Sequence, residues 1–149
     1  MKKIFFSLLL VATSGIISAQ DNASHSGHNS NAPASVHKIV FQLSTEDTLA
    51  HKALMKQLSN ITSVAPDTKI EVVCHGPGLV MLMNGKTTVL PKLEELVNKD
   101  ISFVACEFSM KERKVSKEQI IPLAGYVTAG IIEIVSKQEQ GWSYIKSGF

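Results

Sequence analysis

ISFVACEFSMKER (residues 101–113) is the stretch from which the fold can be worked out. It opens with a mostly apolar run and turns polar and charged directly after Cys106. The run does not alternate apolar with polar positions, as a strand with one wet face would. A continuous apolar run of this length is typical of a strand that is buried on both faces. Residues 101–106 therefore predict a strand inside a parallel sheet.

Further strand-like runs alternate with segments of helical spacing along the rest of the chain. After the first run, Ala50, Leu54, Leu58 and Ile61 recur on one face of a helix that Ser44 or Thr45 could cap. Strands that alternate with helices indicate βαβ units, and hence an α/β fold with helices on both faces of the sheet. The other predicted strands are KIVFQL (38–43), KIEVVC (69–74), GYVTA (125–129) and WSYIK (142–146); the other helical segments are GLVMLMNG (78–85), TVLPKLEELVNKD (88–100), SKEQI (116–120) and GIIEIVSKQEQG (130–141).

The beginning of the chain is typical of an export signal. MKK is followed by an apolar run and then by small residues before a predicted cut after Ala19, which defines a signal peptide over residues 1–19. Residues 20–36 are polar and small and predict a flexible leader, so the folded domain is expected over residues 37–149. The apolar run is shorter than the roughly 20 residues that a membrane span needs. We expect an exported protein, periplasmic or secreted, with no membrane span in its mature chain.

The charge balance argues against whole classes of partner. The chain has 15 Lys and Arg residues against 13 Asp and Glu residues, and the predicted signal peptide carries two of the basic ones, Lys2 and Lys3. The mature chain is therefore nearly neutral, whereas nucleic-acid binding needs a clustered basic face. No G-x-x-x-x-G-K-[ST] or G-x-G-x-x-G motif occurs either, so no nucleotide or other cofactor is predicted.

Two loops are expected to share one cleft, because ligands of open parallel sheets bind at the carboxyl ends of the strands. One is CHGPG (74–78), after the second strand, and the other begins at Cys106, after the third. If a helix starts there, its free N–H groups would favour a thiolate at Cys106. Lys111 and Arg113 would support that charge, whereas Glu107 would oppose it.

The CHGPG loop offers candidates for the wall of this pocket. Cys74 ends the strand, and His75 could pair with a neighbouring thiol or simply lie at the surface. Gly76 and Gly78 permit positive φ angles and close backbone approach, so the loop is either an anion-binding nest or a plain turn.

Three interpretations of Cys106 stay open on these grounds. It is a reactive thiol, an inert buried cysteine, or half of a disulfide with Cys74. Adjacent strands lie about 4.8 Å apart, which is compatible with a disulfide, and export compartments favour such bonds. No metal site is predicted, although His25, His28 and His37 could hold a metal loosely.

Three longer stretches together resemble a known family. They are IEVVCHGPGL (70–79), ISFVACEFSMKERKVSKEQIIP (101–122) and YVTAGIIEIVSKQEQGWSYIK (126–146). They are similar to the DsrE/DsrF-like family of sulfur-relay proteins, which includes TusD-type subunits, and most similar to its exported, stand-alone members. The resemblance covers about residues 38–146. It implies a three-layer α/β/α sandwich, a mostly parallel sheet of about five strands, and homo-oligomers such as trimers or hexamers.

The resemblance also implies a role for Cys106. In the sulfur-relay members a cysteine after the third strand carries sulfur as a persulfide, and position 106 matches it. This implies a sulfurtransferase or sulfur carrier that works with a sulfur donor or acceptor protein. Two departures stand out: the relay members are cytoplasmic, and Cys74 has no relay role to carry over. The alternative is a non-catalytic binding or assembly module of the envelope, with a structural or disulfide-bonded Cys106.

Overall fold

The computed structural model of the chain describes residues 36–148, so the predicted signal peptide and almost all of the predicted leader, with His25 and His28, lie outside the described residues. Within that range the chain folds into five strands, four α-helices and two short 3-10 helices. The strands are β1 Lys38–Leu43, β2 Lys69–Cys74, β3 Ile101–Cys106, β4 Gly125–Val127 and β5 Ser143–Ser147; the α-helices are α1 Thr48–Val64, α2 Leu90–Val97, α3 Glu107–Glu112 and α4 Gly130–Glu139; the 3-10 helices are Gly76–Leu82 and Lys117–Gln119.

The five strands form one sheet in the order β4-β3-β2-β1-β5. Every neighbouring pair is parallel, because each connection between paired strands passes through a crossover rather than a hairpin. Strands β2 and β3 are each buried at five of six positions, as their apolar runs indicated, and β1 is buried at three of six. The predicted parallel α/β sheet is therefore confirmed, with β2 and β3 as direct neighbours.

The larger core lies on one face of the sheet, under α1 and α2. Leu54 and Leu58 of α1 are fully buried there together with Leu93 and Leu96 of α2. The predicted cap of α1 was wrong: Asp47 caps it, with its carboxylate accepting from the Leu49 N–H at 2.8 Å. Because the helix begins at Thr48, residues 44 and 45 lie too far before its first turn to cap it.

The other face carries a smaller cluster under α4. Val40, Val73 and Val104, from β1, β2 and β3, pack there against Ile134. Helix α4 thus completes the third layer and confirms the three-layer α/β/α sandwich. Among residues 36–148, no helix combines the length and apolar character needed to cross a membrane.

Two local boundaries differ from those predicted. The segment after β2 is a 3-10 helix over Gly76–Leu82 rather than a helix over residues 78–85, with Pro77 in its first turn. Strand β4 ends at Val127, two residues earlier than predicted, since Ala129 already precedes the first turn of α4. Both differences bring backbone N–H groups to the carboxyl edge of the sheet.

Candidate functional site

Cys106 lies where β3 ends and α3 begins. It is the N-cap of α3, and its sulfur accepts from the Ser109 N–H at 3.5 Å. The same sulfur accepts from the Gly130 N–H, the first of α4, at 3.2 Å. Ala129, the residue before α4, has no side chain that could cap that helix. One sulfur atom therefore caps two helices, and both helix N-termini favour a negative charge on it.

Ser109 connects this sulfur to the loop after β2. Its hydroxyl oxygen accepts from the Gly76 N–H at 2.8 Å, and the residue is buried. With an acceptor lone pair engaged in that bond, the hydroxyl hydrogen remains free to donate to the Cys106 sulfur. The turn after β2 and the helix after β3 are thereby held around the thiol.

These contacts set the protonation of Cys106. Burial raises the pKa of its thiol, since a charge is less well solvated there. The Ser109 hydroxyl and the N–H groups of Ser109, Gly130 and Phe108 act in the opposite direction, and together they hold the pKa of Cys106 below its ordinary value. Hydrogen bonds from uncharged donors thus favour the thiolate.

The basic residues assigned to this task by sequence do not reach the thiol. Neither Lys111 nor Arg113 lines the cleft at Cys106, and Arg113 lies 3.8 Å from the carboxylate of Glu46 instead. At about 1.5 Å of rise per residue, side chains five or more positions beyond the cap lie a full helical turn away. Glu107, which was predicted to oppose the thiolate, instead forms an ion pair with Lys117 at 2.9 Å. The predicted electrostatic support is replaced by helix N–H groups.

Cys74 belongs to the opposite face of the sheet. In the β2–β3 register it pairs with Ala105, not with Cys106, and neighbouring residues of a strand point to opposite faces. Cys74 is fully buried in the larger core, and burial raises the pKa of its thiol. Both cysteines are free. The disulfide alternative is therefore wrong, since the two sulfur atoms lie on different sides of the sheet.

The cleft at Cys106 has a volume of about 310 Å³ and opens between the ends of β2, β3 and β4. Its mouth is apolar: Phe108, Ile131 and Ile132 are 57%, 53% and 62% exposed. Cys106 itself is 4% exposed, so a reactant has to pass these side chains to meet the sulfur. The lining consists of His75, Cys106, Phe108, Ser109, Glu112, Ala129, Gly130, Ile131 and Ile132.

The loop after β2 supplies one predicted cleft residue, His75, and two glycines with a structural role. Gly76 has a φ of +52°, which favours glycine. A Cβ on Gly78 would lie 2.2 Å from the Leu43 carbonyl oxygen. The Gly76 N–H is bound by Ser109 and the Gly78 N–H by the His75 carbonyl. Because both N–H groups are engaged, neither is left for the predicted anion nest, and the loop turns directly into the 3-10 helix Gly76–Leu82.

Sequence reasoning missed Ser109, Gly130 and the apolar rim. Ser109 looked like any polar residue of a charged segment, and only its position three residues after a strand-ending cysteine suggested a capping partner. Gly130 begins α4, shortly after β4 ends at Val127, and sequence spacing did not connect this helix start to the site. Within residues 36–148, no three His, Cys, Asp or Glu side chains come together as metal ligands do.

Comparison with known proteins agrees with this architecture. Residues 37–147 match the model of the DsrE/DsrF-like family, and the chain therefore belongs to that family. A search of curated proteins finds no match.

Two solved structures share the fold, and neither has a known function. A protein from Methanobacterium thermoautotrophicum superposes with a TM-score of 0.71 at 23% identity, covering 74% of this chain and 98% of its own. A conserved protein from Bacteroides thetaiotaomicron gives a TM-score of 0.61 at 15% identity, covering 73% and 93%. At these identities the likeness concerns the fold alone.

Proposed function

We propose that this protein is a sulfur carrier or sulfurtransferase in which Cys106 holds sulfur as a persulfide. Membership of the DsrE/DsrF-like family suggests a function related to sulfur relay. The observation that carries the finer proposal is the convergence of the Ser109 and Gly130 N–H groups on the Cys106 sulfur. A thiolate is the nucleophile in sulfur exchange, and this arrangement favours it in a cleft that opens to solvent.

The chemistry needs no oxidant. The Cys106 thiolate attacks the outer sulfur of a donor persulfide, the donor S–S bond breaks, and its electron pair leaves on the donor thiolate. Cys106 then carries one added sulfur. An acceptor thiolate attacks that outer sulfur in turn, and Cys106 leaves as a thiolate stabilised by the same N–H groups. Negative charge leaves the Cys106 sulfur in the first step and returns to it in the second. Hydrogen-bond donors fixed around this sulfur therefore serve both the uptake and the release of sulfur.

We further propose that the domain works as an exported homo-oligomer, or together with a sulfur donor or acceptor protein. The apolar rim of Phe108, Ile131 and Ile132 supports a protein partner, because large apolar side chains around a recessed thiol are suited to being covered. Export rests on the signal-peptide pattern of residues 1–19.

Sulfur loading tests the proposal. The protein is incubated with a small-molecule persulfide donor and its intact mass is measured. We expect one added sulfur atom on the wild type and on Cys74→Ala, but none on Cys106→Ser. Because Cys74 is buried on the other face of the sheet, Cys74→Ala is the matched control. Loading that is equal in Cys106→Ser, or absent in the wild type, would refute the proposal.

The exposed rim also favours a second candidate, a non-catalytic assembly module in which Cys106 only caps two helices. Thiol titration of the native protein separates the two. A carrier should show one fast-reacting thiol per chain, which Cys106→Ser abolishes. An assembly module should show slow reaction at both cysteines while remaining oligomeric by light scattering.

A further inference from the structure

Three side chains form a hydrogen-bonded row that ends at the Cys106 cleft. The Tyr144 hydroxyl of β5 donates to the side-chain oxygen of Gln42 in β1. The amide nitrogen Nε2 of Gln42 lies 2.7 Å from Nε2 of His75, which follows β2. The row thus crosses three adjacent strands, β5, β1 and β2, and His75 lines the cleft together with Cys106.

The chemistry of these groups fixes where the histidine carries its hydrogen. A phenol hydrogen donated to Oε1 identifies that atom of Gln42 as the acceptor, so the other end of the amide is NH₂, which can only donate. Nε2 of His75 must then accept and carry no hydrogen. A neutral imidazole has one N–H, so it lies on Nδ1. A charged imidazolium would also carry an N–H on Nε2, so two hydrogen-bond donors, this N–H and the amide N–H of Gln42, would face each other.

The remaining nitrogen of His75 is free to act in the cleft. Nδ1 has no hydrogen-bond partner among the described residues, and it is not one of their buried unpartnered atoms, so solvent reaches it. A Cβ built on Gly130 would lie 3.2 Å from Cβ of His75 and 3.3 Å from Cβ of Cys106. His75 and Cys106 therefore flank the same glycine, on the same side of the sheet.

We propose that Tyr144 and Gln42 hold His75 as the neutral Nδ1–H tautomer, and that this N–H donates to the outer sulfur carried on Cys106. This inference rests on the proposed sulfur-carrier function. The outer sulfur of a persulfide is negative at neutral pH, and the N–H groups of Ser109 and Gly130 are already bound to the inner sulfur. His75 supplies a separate donor for the outer atom and stays neutral while an acceptor thiolate breaks the S–S bond. Tyr144 and Gln42 are positioning residues, since they act through the histidine.

Nitrogen NMR of protein labelled with ¹⁵N-histidine tests the tautomer directly. His75, identified by its loss in His75→Asn, should show a protonated Nδ1 and an unprotonated Nε2 at neutral pH. His51 is the internal control: its Nε2 lies 2.8 Å from the Thr45 carbonyl oxygen, which can only accept, so it should show the opposite pattern. A protonated Nε2 on His75 would overturn the inference.

Gln42→Glu provides the matched variant. A carboxylate of nearly the same shape accepts from Nε2, so neutral His75 should change to the Nε2–H form, which leaves Nδ1 without a hydrogen to donate. Sulfur discharge from loaded Cys106 to a thiol acceptor should then slow by about tenfold, the effect of one hydrogen bond to a charged group. Tyr144→Phe should give a mixture of tautomers. Tyr126→Phe, which loses only an exposed bond to the Lys117 carbonyl, should change neither readout.

The outcomes separate this inference from the function on which it rests. Loading on Cys106 with an unchanged discharge rate in Gln42→Glu would overturn the role of His75 and leave the carrier standing. A failure of Cys106 to load would overturn both the carrier and the donation by His75, whatever the tautomer. The expected tautomer together with slower discharge in Gln42→Glu supports the inference in full.

Discussion

Gly130→Ala is expected to damage the reactivity of Cys106 more than the stability of the fold. An added Cβ would lie 3.1 Å from Cγ1 of Val73, 3.2 Å from Cβ of His75 and 3.3 Å from Cβ of Cys106. Two of these atoms are attached directly to backbone and cannot turn away. The first turn of α4 must therefore lift, which lengthens the 3.2 Å bond from the Gly130 N–H to the sulfur.

The change in stability is the balance of an overpacking cost and a gain in helix propensity, and the change in reactivity follows from the weakened hydrogen bond. Overpacking a buried site costs about 1–3 kcal/mol, whereas alanine is favoured over glycine in a helix by up to about 1 kcal/mol. The free energy of unfolding should therefore fall by only about 1–2 kcal/mol. A hydrogen bond to a charged group is worth about 1.5–3 kcal/mol. Losing about 1 kcal/mol of it lowers the ionisation constant of the thiol by about fivefold, and at pH values below the thiol pKa the reaction rate falls by the same factor.

The assay is the rate of iodoacetamide modification as a function of pH, followed by intact mass, alongside urea denaturation. Gly125→Ala is the control, because its Cβ would meet nothing closer than Cγ1 of Val104 at 3.4 Å, away from the thiol. It should react like the wild type. A folded Gly130→Ala protein with wild-type reactivity at every pH would refute the role assigned to the N–H of α4.

Three further predictions follow from the same contacts. Ser109→Ala removes the acceptor of the Gly76 N–H and a donor to the thiol, so the urea midpoint should fall and Cys106 alkylation should slow by at least about fivefold. In the native protein a thiol reagent should modify one cysteine per chain, because burial in the core raises the pKa of Cys74; modification of Cys74 at a similar rate would contradict its placement. Burial raises the pKa of Glu71 despite its 2.8 Å contact with Lys137, so the native state keeps a proton that the unfolded chain loses near pH 4.5. As pH rises above that value, the free energy of unfolding of the wild type should fall relative to that of Glu71→Gln. If the two free energies instead change in parallel with pH, the raised pKa of Glu71 is contradicted.

The sheet could be predicted from sequence because a strand that is buried on both faces has a mostly apolar sequence of its own. Runs such as 69–74 and 101–106 are mostly apolar and do not alternate apolar with polar positions, and their alternation with helical segments leaves few topologies. The position of Cys106 at a carboxyl edge followed from the same pattern. The register that places Cys74 and Cys106 on opposite faces did not follow from it, because a strand buried on both faces has no alternation to fix its register.

What stabilises the thiolate could not be read in this way. The sequence shows Lys111 and Arg113 near Cys106, but proximity along a helix places them a turn beyond the cap. The groups that act, the N–H of Gly130 and the hydroxyl of Ser109, depend on where the ends of three strands meet. Backbone donors leave no trace in the identity of a side chain, so a glycine 24 residues away carried no signal.

Sulfur discharge from the loaded protein tests the central claim most directly, because a carrier must give sulfur as well as take it. Protein loaded at Cys106 is mixed with a thiol acceptor, and its intact mass and the sulfur recovered on the acceptor are both followed. We predict return to the unmodified mass with one sulfur atom per chain on the acceptor, and no such transfer from Cys106→Ser. Sulfur that stays on the protein, or that leaves equally from Cys106→Ser, would contradict the assignment of Cys106 as the carrier.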